Sequence, residues 1–191
     1  MRGWFAAALA LLLAPALAAA GAVTQVDVVK QGSVYVIDAA MAVPVPAADA
    51  WAVLIDFDDM ARFLPNLTES RTTARSGNRI TVQQKGVARF GILRIPFDSV
   101  REIDLKPHER VRARQIAGRA RSALSEMRFI DDGGTTRIVY RAEIEPGFWL
   151  PAFVSRPFIE HEVREQFEAI AREILRRRGH AVTGRPVEAR Q

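Results

Sequence analysis

From Leu67 to Glu145 the chain alternates apolar and polar residues between tight turn signals, and a single long amphipathic helix pattern follows. The pairs Ile80/Val82 and Val111/Ala113 and the runs Ser125/Met127/Phe129 and Ile138/Tyr140/Ala142/Ile144 keep a period of two. Strict alternation places one row of side chains on each face of a pleated strand, so these strands have one buried and one wet face. Ser76-Gly77-Asn78, Lys106-Pro107-His108-Glu109 and Asp131-Asp132-Gly133-Gly134 divide them into antiparallel neighbours. The later helix, from about Pro157 to Arg178, repeats Ile159, Val163, Phe167, Ile170 and Ile174 on one stripe. A lone amphipathic helix must bury its stripe, and the only large apolar surface this sequence offers is the sheet. A bent sheet closed by one helix leaves room for a cavity between them.

Upstream, Val23 to Val43 reads as two Val/Ile-rich strands separated at Gln31-Gly32. At Val45-Pro46 the period changes: Trp51, Leu54 and Ile55 share a helical face, and so do Met60, Phe63 and Leu64 after Asp56-Phe57-Asp58-Asp59. Pro65-Asn66 stops the second short helix. The architecture is therefore α+β: two strands, two short helices, about six antiparallel strands and one long helix.

Residues 1–20 belong to a different grammar. Arg2 precedes an apolar run from Trp4 to Leu17, and Ala18-Ala19-Ala20 supplies small residues for cleavage. This is the form of a secretory signal peptide, with cleavage placed after Ala20. An uncleaved anchor is the alternative, since Trp4 to Val23 is uncharged but barely long enough to span a bilayer. Either way the working domain, residues 21–178, is exported. A bacterial periplasm is favoured over release from the cell. Gly179 to Gln191 is basic and patternless and reads as a disordered tail. With 49% hydrophobic residues and no cysteine, the domain needs no disulfide staple and has no thiol chemistry.

Val45-Pro46, Trp51, Val53-Leu54, Asp56-Phe57-Asp58, Met60 and Phe63-Leu64-Pro65 resemble the first-helix signature of the START-like superfamily. That superfamily comprises the polyketide cyclase/dehydrase and lipid-transport proteins. Glu145-Pro146-Gly147-Phe148-Trp149-Leu150-Pro151 is similar to the entry into its closing helix. The resemblance covers about residues 33–178 and comes nearest the coenzyme Q-binding and cyclase/dehydrase-type branch. It implies a helix-grip fold, with a curved antiparallel sheet wrapped around the C-terminal helix, and a hydrophobic ligand in the cavity between them. Some branches are enzymes and many are not.

Candidate sites follow from parity. Trp51, Phe63, Met127, Phe129, Tyr140, Phe148, Trp149, Phe153 and Phe167 are expected to face the sheet–helix interior or its mouth. Gln115 and Tyr140 are its candidate polar groups. Phe148-Trp149 would cap the cavity or dip into a membrane interface.

Metal and nucleophile chemistry find no footing. A calcium loop starting at Asp56 would need Gly at position 61 and Glu at position 67, where the chain has Ala61 and Leu67. The acidic cluster reads instead as a helix-capping junction, and His161 with Glu165 as a solvated helix face lacking further zinc ligands. Ser122, Ser125 and Ser155 lie in no nucleophile motif. Neither a cofactor nor a catalytic residue is assigned.

The net charge is +5, carried by 24 Arg and 3 Lys. Residues 101–191 hold 18 basic against 14 acidic residues, while residues 21–100 hold 8 of each. Arg110, Arg112, Arg114 and Arg128 lie on outward parity. They either meet anionic headgroups or form a solvated face with Glu126 and Glu143 as cross-strand partners. Nucleic acid is a poor partner, because no aromatics interleave with the arginines. The expectation is a monomeric exported protein that binds a hydrophobic or amphipathic small molecule of the lipid or isoprenoid quinone class. A polyketide cyclase/dehydrase-type enzyme and an envelope interaction protein with a filled cavity are the alternatives.

Overall fold

A computed structural model describes residues 22–147 and 152–183. Eight antiparallel strands form one sheet in the order β1-β2-β8-β7-β6-β5-β4-β3. They are β1 (Ala22–Gln31), β2 (Val34–Val43), β3 (Leu67–Ser76), β4 (Arg79–Phe90), β5 (Leu93–Lys106), β6 (Arg110–Gly118), β7 (Ser122–Asp131) and β8 (Thr136–Glu145). Between β2 and β3 stand α1 (Ala47–Leu54) and a 3-10 helix (Phe57–Arg62), and the chain closes with α2 (Ala152–Thr183). This is the helix-grip architecture read from the sequence.

The turns form where local chemistry asks for them. Gly77, Gly133 and His108 all take left-handed backbone conformations, at φ 57°, 63° and 58°. His108 bears the steric cost of that conformation, and its ring meets Trp51 edge-on at 5.8 Å. β2 joins β8 through nine register pairs from Tyr35/Ile144 to Val43/Thr136, which fuses the N-terminal hairpin to the C-terminal half of the sheet.

Three boundaries differ from expectation. Pro46 is the N-cap of α1 and not its first helical residue. α2 begins at Ala152 and carries Pro157 inside it. A proline there forgoes one backbone hydrogen bond close to an end whose first four N–H groups have no intrahelical partner in any case. The helix also continues beyond Arg178 to Thr183, past the last stripe residue.

The main core occupies one end of the grip, and a smaller cluster of Val28, Tyr35, Ile37 and Ala142 packs against Ile159 and Val163 of α2. α1 lays Trp51 against Phe129 of β7, ring centroids 5.2 Å apart, above fully buried Met41, Val43 and Ile138. The stripe of α2 is graded: Ile159 and Val163 are half-buried, whereas Phe167, Ile170 and Ile174 are buried. The C-terminal part of the helix lies over filled core. Its N-terminal part covers something less complete.

The acidic junction fixes that C-terminal part in place. Asp56 is the N-cap of the 3-10 helix but makes no capping hydrogen bond. Its carboxylate and that of Asp59 each accept a 2.7 Å bond from Arg177 of α2, while Asp58 accepts the Thr72 backbone N–H at 2.6 Å. The capping expectation is thereby corrected: these carboxylates face a cation across the fold more than their own backbone. Glu173, 7% exposed, accepts bonds from both Arg176 and Arg177 at 2.6–2.7 Å. The Arg176 bond, against opposing desolvation, and then the Arg177 bond lower its pKa to about 2. A folded pKa below the unfolded value means the unfolded chain takes up the proton first. The contribution is therefore complete above about pH 4.5 and is lost as pH falls toward 2. Acid titration of stability should show the native protein losing roughly 1–3 kcal/mol more than Glu173→Gln across that window. Parallel profiles would refute the assignment.

Candidate functional site

Beneath α2 from Phe158 to Ile170, a cavity of about 400 Å³ opens between the helix and the inner face of the sheet. Most of its wall is aliphatic or aromatic, as burial on the inner parity of β4 to β8 requires. Met127, Tyr140, Phe167 and Gln115 all border it. Gln115 spends its amide on the Ala120 carbonyl at 2.8 Å, which braces the β6–β7 connection.

Trp51, Phe63 and Phe129 do not border the cavity. Trp51 and Phe129 pack edge-to-face in the filled end, and Phe63 lies half-buried beneath the Arg177 guanidinium, 5.9 Å away. Phe148 and Trp149 lie outside the described residues, as does the side chain of Phe153. On the outer sheet face Arg112 and Arg128 share Glu126 (3.0 and 2.6 Å), and Arg114 meets Glu102 at 3.2 Å. Arg110 stands opposite Arg128 in the register. Arg119 borders the cavity and pairs with Asp98 at 3.0 Å.

The polar chemistry of the cavity comes largely from residues that parity reading passed over. Arg101 of β5 lies among the wall residues and donates through Nη2 to Oε1 of buried Gln84. Gln84 in turn donates to Ser70 Oγ at 3.0 Å, and Ser70 donates to the Phe57 carbonyl at 2.5 Å. Arg101 Nε is buried without a partner. Burial depresses the guanidinium pKa, with only Tyr140 opposing it. Tyr140 is hydrogen-bonded to Ser125 and packs edge-on to Phe167 at 5.5 Å. Burial pushes its phenol up, against Arg101 and the Ser125 bond.

A second polar group lies beneath α2. Glu162 is buried, and its carboxylate accepts the Arg89 backbone N–H at 2.6 Å and the Asn66 amide at 3.0 Å. Burial raises its pKa, while those two bonds and His161 work the other way. Gly86 makes the local crossing possible. The Asn66 carbonyl accepts the Val87 N–H at 2.8 Å, passing where a Cβ on Gly86 would stand 2.0 Å away.

The arrangement offers an apolar enclosure, a half-buried cation without a carboxylate partner, a neutral phenol, a buried carboxylate and the Arg119–Asp98 pair. It can seclude an apolar body and orient a polar end. Among the described residues no group of three or more metal-ligating side chains converges on it.

The family described as polyketide cyclase / dehydrase and lipid transport matches residues 43–171. Solved structures agree on the fold. The ZhuI aromatase/cyclase from Streptomyces sp. R1128 superposes with a TM-score of 0.64 at 17% identity, covering 75% of this chain and 95% of that one. A START superfamily protein from Mycobacterium smegmatis reaches 0.63 at 10% identity, over 74% and 97%. A STAR-related lipid transfer protein from Xanthomonas axonopodis reaches 0.62 at 13% identity, over 78% and 98%. At these identities the likeness is one of fold. No functionally curated protein matches the chain in sequence.

Proposed function

Since the chain belongs to the polyketide cyclase/dehydrase and lipid transport family, we propose that it is an exported carrier of a hydrophobic or amphipathic small molecule. The ligand, of the lipid or isoprenoid quinone class, would occupy the cavity under α2. The observation that carries this reading is the cavity itself. Interiors pack at near-crystalline density with few voids larger than a water molecule, yet about 400 Å³ stays open here. That volume falls within the range of about 300–1,000 Å³ typical of small-molecule sites. The mechanism is sequestration, worth roughly 25 cal/mol for each Å² of apolar ligand surface withdrawn from water. Export rests on the segment Met1 to Ala20. The outer arginine face would hold the carrier near an anionic bilayer, with Glu126 and Glu102 tempering its charge.

A second reading, an enzyme of the cyclase type, draws support from Tyr140 and Arg101 sharing one apolar enclosure, where a hydrogen-bond donor and a cation could polarise a carbonyl.

Native mass spectrometry of the exported protein, with organic extraction of whatever it carries, separates the readings. The carrier reading expects a stoichiometric amphiphile, returned unchanged after incubation. Chemical conversion of a bound polyketone would favour the enzyme. An empty protein that takes up no neutral hydrophobic dye would overturn both.

A further inference from the structure

We propose that the ligand is an amphipathic anion, with a carboxylate-like head seated on Arg101 and an apolar body along the remainder of the cavity. The inference rests on the binding reading above and adds the ligand's charge. Its ground is an unbalanced account of the charges on the cavity wall. Arg119 and Asp98 neutralise each other at 3.0 Å. Glu162 is held by an amide and a backbone N–H, and the charges it feels are Glu165 and His161. Arg101 has no carboxylate within ion-pair distance among the described residues, and its one hydrogen-bond acceptor is a neutral amide.

A guanidinium stays charged at any physiological pH, and an isolated buried charge is expensive unless it is paired. Tyr140 cannot supply the counter-charge, because burial keeps its phenol protonated well above neutrality. It can instead donate a hydrogen bond to the same anion. Gln84, anchored through Ser70 to the Phe57 carbonyl, holds the guanidinium from behind.

The opposite end fixes the orientation. Arg101 is register partner to Val82 on β4, while Glu162 grips Arg89 at the far end of the same strand. At a rise of about 3.3 Å per residue, seven residues separate the two polar groups by roughly 20 Å of strand. An acidic head would be repelled beside Glu162 and attracted at Arg101, so the chain enters head-first toward β5. Asn66 Oδ1, buried without a partner beside Glu162, is left for a hydrogen-bond donor at the trailing end.

The test is displacement of a neutral dye, N-phenyl-1-naphthylamine, from the exported protein at pH 7 by decanoate and by decan-1-ol. These probes share a chain and differ in head charge. The native protein should bind decanoate at least tenfold more tightly than decanol. Arg101→Met should lose that preference while still binding decanol, and Arg101→Lys should keep part of it. Equal affinity of the native protein for the two probes would overturn the proposal and leave the carrier reading standing. So would an unchanged preference in Arg101→Met. Failure of the dye and of both probes to bind would instead remove the carrier reading itself. The comparison of two probes on native protein decides the question even if the Met variant does not fold.

Discussion

Replacing Phe129 by Ala should destabilise the protein by about 3–5 kcal/mol, the usual cost of removing a buried aromatic ring, and leave its capacity for hydrophobic ligands intact. Phe129 is 8% exposed, packs edge-to-face with Trp51 and lies away from the cavity. Its removal opens a void in the filled end, between α1 and β7, where neighbouring side chains can relax only in part. Met127 is two residues along the same strand on the same face, but it borders the cavity. Met127→Ala enlarges a space that is already open, so it should cost less stability and shift dye affinity instead. Urea denaturation with an unchanged m-value, read beside dye titration of the folded fraction, checks both halves. A folded Phe129→Ala protein that had lost dye binding would show that the two ends of the grip are not separate.

Gly86→Ala should be the other severe substitution, costing about 2–4 kcal/mol although it adds a single methyl group. The new carbon would stand 2.0 Å from the Asn66 carbonyl oxygen and 2.7 Å from the Phe97 ring. Phe97 can rotate away, but the carbonyl has little freedom. It accepts the Val87 N–H, and the side chain of the same residue is held by Glu162 of α2. Relief of the clash must therefore move Asn66 and, through Glu162, the part of α2 that roofs the cavity. Thermal unfolding should fall steeply and dye affinity should change with it. A loss under about 1 kcal/mol would mean that Pro65-Asn66 shifts freely and does not brace the roof.

Much of the fold was legible because period and turn chemistry are local. The turns at Ser76–Asn78, Lys106–Glu109 and Asp131–Gly134 declared themselves by Gly, Asn, Asp or Pro, the β4–β5 and β6–β7 connections did not, and the α2 stripe had nowhere else to go. The site was less legible. Arg101 follows Ile95, Phe97 and Ser99 and precedes Ile103 on one parity, and all five border the cavity. A charged residue on a strand invites an outward reading, and adjacent Val100 obscures the alternation. Glu162 is three residues from Ile159 and next to Val163, so helical spacing placed it at the edge of the stripe. What hid it was its partners: Asn66 and the Arg89 N–H come from distant segments that only the closed fold brings together. Trp51 and Phe129 erred the other way. Parity says which face a residue occupies and nothing about where along that face the packing becomes complete.

That lengthwise division has a consequence for how such a protein can diverge. Met41, Val43, Trp51, Phe129, Ile138 and Ile174 are core that the cavity does not touch, while Arg101, Tyr140, Met127 and Glu162 shape the hollow end. Drift at the second group can reshape the cavity while drawing less on the reserve that keeps the chain folded. One scaffold can thus refit its hollow half many times while its solid half stays as it is.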